Sequence, residues 1–92
     1  MEINKKELKK DILKLAFDLE KQYPELDFKH HCYLRIAYDN CVQDKWNNVI
    51  KASFLNNCSN DQLNIIRSLL IIYKNNLDYL IQHNIISLNY RK

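Results

Sequence analysis

A chain of 92 residues with no glycine and a single proline, Pro24, has little choice of architecture. Glycine supplies the left-handed and strained backbone positions that tight turns, β-bulges and phosphate-cradling loops require. Without it, hairpin-rich β folds, P-loops and dinucleotide fingerprints fall away. The chain is expected to be all-α: a small three- or four-helix bundle forming one domain over residues 1–92.

At 47% hydrophobic residues the sequence is rich enough to build a core, which argues against global disorder. Its longest uninterrupted apolar run, Leu69 to Tyr73, is far below the ~20 residues of a membrane span. The opening Met1-Glu2-Ile3-Asn4-Lys5-Lys6-Glu7 is charged and lacks an apolar h-region, so no secretory leader and a cytoplasmic location are expected. Cys32, Cys41 and Cys58 have no framework spacing and read as free thiols in a reducing compartment.

The first helix is expected from about Lys5 to Gln22, with Asn4 as N-cap and Glu7 in the capping-box position. Leu8, Ile12, Leu15, Ala16, Leu19 and Tyr23 recur at spacings of three and four, while lysines and acids alternate on the opposite face. Pro24 and Asp27 separate this helix from a second, beginning near Phe28. Two apolar sets follow: Cys32, Tyr33, Ile36, Ala37 and Cys41, then Val42, Trp46, Val49, Ile50 and Phe54. They do not share one helix face, which predicts a break or kink near Asn40 to Asp44. Residues 56–60 read as a loop.

Ser59, with Gln62 as capping-box partner, opens a third helix expected to run from residue 60 to about 83. Leu63, Ile66, Leu70, Tyr73, Leu77 and Leu80 form its core seam. A second stripe, Ile65, Ile72 and Tyr79, with Ile86 as a candidate fourth member, lies about 200° away. A helix apolar on two faces is either central in a bundle or shared with a second copy, so Ile65, Ile72 and Tyr79 are the candidates for self-association. At the end, the alternation of Ile86, Leu88 and Tyr90 with polar residues suggests an extended, docking tail.

Polar chemistry is densest between His30 and Trp46. On a helix, His31, Arg35 and Asp39 stand at i, i+4 and i+8, with Arg35 placed to pair with Asp39. Trp46 would extend that ridge on an unbroken helix. Such a group suits a partner loop, a carboxylate or a phosphate. The alternative is an ordinary surface ion pair beside a core tryptophan. His30, His31, Cys32, Cys41, Cys58 and His83 lack the paired spacing of a metal site, and no cofactor is expected. No nucleophile–base arrangement is legible, so the chain is expected not to be an enzyme.

The net charge of +3 is dispersed: residues 1–29 hold seven lysines and seven acids, and the excess is spread thinly thereafter. Lys45, Asn47, Asn48, Lys51 and Arg67 carry the alternative of a nucleic-acid-binding domain. The leading expectation is a non-catalytic interaction module that binds a protein partner or itself. A small-ligand or anion pocket around His31, Arg35 and Asp39 ranks third.

Overall fold

The computed structural model describes residues 4–92. It is all-α, with four long helices and two helical single turns. The long helices are α1 (Lys5–Gln22), α2 (His30–Val42), α5 (Asn60–Asn75) and α6 (Leu77–Tyr90). The single turns are α3 (Trp46–Val49) and α4 (Phe54–Asn57). No helix of the described residues is long and apolar enough to cross a membrane.

α1 begins and ends where the sequence predicts. Asn4 Oδ1 accepts the Glu7 N–H at 2.9 Å, satisfying one of the orphan donors of the first turn. The helix buries Leu8, Ile12, Ala16 and Leu19. Pro24–Leu26 forms a 3₁₀ turn with proline at its start, where a missing N–H costs nothing. Glu20 then reaches across from α1 to accept the His30 N–H at 2.9 Å, so α2 is capped from another helix.

Lacking glycine, the chain turns left-handed at Asp27 (φ 56°) and Gln43 (φ 57°). The second position ends α2, within the stretch where the hydrophobic pattern changes face. The Gln43 N–H returns to the Asp39 carbonyl, and the Asp44 N–H reaches the same oxygen at 3.2 Å. Trp46 therefore leaves the axis of α2 and packs in an aromatic group, 5.9 Å from Tyr38 and 5.7 Å from Phe54 between ring centroids.

Ser59 and Gln62 form the expected reciprocal capping box of α5. Leu63, Ile66, Leu70 and Tyr73 are all fully buried, and α5 packs against α1, α2 and α6. Two expectations are corrected here. The helix does not run on to residue 83: Asn76 interrupts it, and its Oδ1 accepts the Tyr79 N–H at 3.0 Å to begin α6. The last residues are not an extended tail either, because helix continues to Tyr90. The expected loop at 56–60 is shorter than its composition suggests, since Asn56 and Asn57 belong to α4.

Candidate functional site

The ridge of His31, Arg35 and Asp39 lies along α2 as its spacing predicts, but its members do not converge on an open site. His31 is exposed, and its ring meets His30 edge-on at 5.5 Å. Arg35 turns to α6, donating from Nη2 to Asn84 Oδ1 at 2.7 Å. The predicted Arg35–Asp39 pair is not formed. Asp39 is fully buried and pairs with Arg91 at the end of α6.

That carboxylate is the most highly coordinated group in the described chain. Oδ2 accepts from Ser87 Oγ at 2.6 Å and from Arg91 Nε at 2.8 Å. Oδ1 accepts from Arg91 Nη2 at 3.0 Å and from the Trp46 N–H at 2.9 Å. The arginine fork is bidentate, which fixes direction as well as distance. Asn40 adds a bond from Nδ2 to the His83 carbonyl at 3.0 Å. One buried residue thus ties the end of α2, the start of α3 and the last turn of α6 together. Every side-chain oxygen direction that a ligand would need is already directed at the protein's own donors, so Asp39 is a keystone of the fold.

Closer to α5, Tyr73 and His83 face each other, with Oη and Nδ1 2.7 Å apart. Burial pushes the Tyr73 hydroxyl well above its ordinary value, so the phenol keeps its proton. Burial also lowers His83, favouring the neutral ring. Tyr79 covers the ring, with centroids 4.1 Å apart. Tyr73 is fully buried and His83 half-buried. Two of the thiols are shifted against nucleophilic use: burial pushes Cys41 up to about 11 and raises Cys58.

A shallow groove of about 240 Å³ lies between α1 and α5. Its walls are bridged by Arg67–Asp11 at 3.4 Å and Lys74–Asp18 at 3.7 Å. Arg67 is therefore engaged with α1 and does not join the other nucleic-acid candidates. Lys51, Asn47 and Asn48 are exposed and Lys45 half-buried, around a helix α3 of only four residues. No group of three or more His, Cys, Asp or Glu side chains among the described residues is arranged to hold a metal.

The self-association candidates separate. Ile65 and Ile72 remain exposed on α5. Tyr79 is half-buried against His83 and Tyr73, because the break at Asn76 resets the helical phase. α6 instead carries a stripe that the sequence reading missed. Leu77, Ile81, Ile85 and Leu88 follow one another at four, four and three residues, within about 80° of helix circumference. Leu77, Ile85 and Leu88 are exposed, and Ile81 is half-buried without being packed on the core. The inward side of the same helix holds Leu80, His83, Asn84, Ser87 and the turn leading to Arg91. The pattern was legible in the sequence, but assigning Leu77 to the seam of the preceding helix concealed it.

Comparison with protein-family models, with curated proteins and with solved structures returned no match.

Proposed function

We propose that this chain is a small, non-catalytic interaction module whose outward aliphatic side chains on α6 and α5 dock on protein. The observation that carries this reading is the inverted character of α6. Ser87, Asn84 and His83 are turned toward the bundle beside Leu80, while Leu77, Ile85 and Leu88 face solvent, with Ile85 54% and Leu88 46% exposed. Scattered exposed aliphatics are ordinary on a monomer, but several in register on one helix mark a contact surface. The Asp39–Arg91 fork and the Ser87 bond hold α6 in this orientation, so the stripe has no easy route inward.

Duplex binding draws less support. Its candidates surround a one-turn helix, shorter than the recognition helix of a helix-turn-helix, and Arg67 is paired with Asp11.

Site-specific photo-crosslinking in cells tests the proposal, with a benzophenone amino acid placed at Ile85, Ile72 or Lys10. Protein adducts at the first two positions and none at Lys10 are the expected result. An absence of adducts at Ile85 and Ile72 would overturn the reading. Salt-sensitive binding of the purified protein to a DNA duplex would favour the nucleic-acid alternative.

A further inference from the structure

The exposed stripe of α6 reads the same in both directions: Leu77, Ile81, Ile85, Leu88 is leucine, isoleucine, isoleucine, leucine. We infer that it is the contact surface for a second copy of this chain, the two α6 helices packing antiparallel about a twofold axis near residue 83. This deepens the interaction reading above and rests on it.

Three observations point to a copy as the occupant. The first is the palindrome itself. In an isologous interface each residue i that meets j has its mirror contact of j with i. With the axis near residue 83, Ile81 faces Ile85 of the second copy, and Leu77 faces its Leu88. Unequal ends would leave a large side chain opposite a small or polar one, and here they match.

The second is charge. Between Leu77 and Tyr90 the only charged residue is Asp78, so the face has almost nothing to repel its own copy. Asp78 lies at the N-terminal end of α6, and the exposed Lys92 follows its C-terminal end. An antiparallel pair brings the end of α6 that carries Asp78 toward the end of the second copy that carries Lys92, and opposes the two helix dipoles favourably. A parallel pair would bring like charges and like dipole ends together.

The third is size. A standard interface covers roughly 800 Å² per partner. That is on the order of one-seventh of the 5765 Å² surface of the described chain. The stripe spans about 16 Å along the helix, enough for the apolar centre of such an interface, with neighbouring polar residues forming its rim.

The test is the solution mass of the full chain by light scattering behind size exclusion, for wild type, Ile85→Glu and Ile65→Glu. Wild type is expected to be a dimer that persists at high salt. Ile85→Glu introduces two charges at the centre of a symmetric interface and should raise the dimer dissociation constant roughly 100-fold or more. Its far-UV circular dichroism should remain that of wild type, since Ile85 is 54% exposed. Ile65→Glu should stay dimeric. Oxidising an equimolar mixture of Ile81→Cys and Ile85→Cys should give the mixed 81–85 disulfide, identified by peptide mass, in excess over either symmetric one. A monomer at all concentrations would overturn the proposal, as would a dimer broken by Ile65→Glu and not by Ile85→Glu. A monomeric wild type that still crosslinks to a different protein through Ile85 would remove the second copy while leaving the interaction reading intact.

Discussion

α1 and α6 each pack against both α2 and α5, yet α1 buries only apolar side chains, while α6 turns polar ones inward beside Leu80. α1 turns Leu8, Ile12, Ala16 and Leu19 inward and sets Lys6, Glu7, Lys10, Lys14 and Lys21 in water. α6 turns Asn84, Ser87 and His83 inward with Leu80, and leaves Leu77, Ile85, Ile86 and Leu88 outside. The first helix is held by area and the second by directed hydrogen bonds. Hydrophobic contact is tolerant of small shifts, whereas a bidentate arginine fork on a buried carboxylate is not. A helix whose outer face is reserved for a contact needs its orientation fixed by something other than its aliphatic residues. Asp39 supplies that.

Breaking the Asp39 network gives the largest expected effect. Asp39→Ala leaves Ser87 buried without its acceptor, frees the Trp46 N–H and strands Arg91. A loss of about 3 kcal/mol in urea denaturation is expected. Hydrogen exchange should accelerate in α6 before α1, and uniform acceleration would contradict the division between the two helices. Removing the cap of α6 acts on the same helix more gently. Asn76→Ala should cost about 1 kcal/mol by the same measurement, since Oδ1 holds the Tyr79 N–H.

A pH dependence separates the two regions further. Folding holds His83 neutral to a lower pH than its ordinary 6.5, through burial against Tyr73 and Tyr79. As pH falls through about 6.5 the unfolded chain takes up the proton first, so stability present above that pH declines below it. The denaturation midpoint should therefore drop between pH 7 and 5 in wild type and drop less in His83→Gln. An equal slope in both proteins would assign the dependence to other groups. The smallest effect belongs to α1: Lys74→Ala breaks the partly exposed pair with Asp18 and should change stability by less than about 0.5 kcal/mol.

How much of this was legible depended on how far apart the interacting residues lie. Asn4 with Glu7, and Ser59 with Gln62, are contacts three residues long, and the helix starts they mark were readable. The seam of Leu63, Ile66, Leu70 and Tyr73 was readable for the same reason: its period is set by the helix itself. Asp39 was misassigned because a carboxylate four residues from Arg35 has an obvious local partner. Its actual partner, Arg91, is 52 residues away. Ile86, Leu88 and Tyr90 imitated a strand because α6 is apolar on two flanks, so alternate residues fall on alternate sides of the helix. Asn76 concealed the break, since Leu77 and Leu80 continue the spacing of the preceding seam. Local rules locate elements; which face of an element turns inward is decided by contacts across the chain.

The claim that α6 presents its aliphatic side to a partner is tested most directly by methyl spectra of isoleucine and leucine recorded with a soluble paramagnetic probe. At low protein concentration the methyl signals of Ile85 and Leu88 should be attenuated as strongly as that of Ile65, while Ile12 and Leu80 are spared. On raising the concentration, Ile85 and Leu88 should become protected and Ile65 should not. Protection of Leu88 at every concentration that persists in Ile85→Glu would mean that α6 is turned with its aliphatic side inward, and would contradict the account.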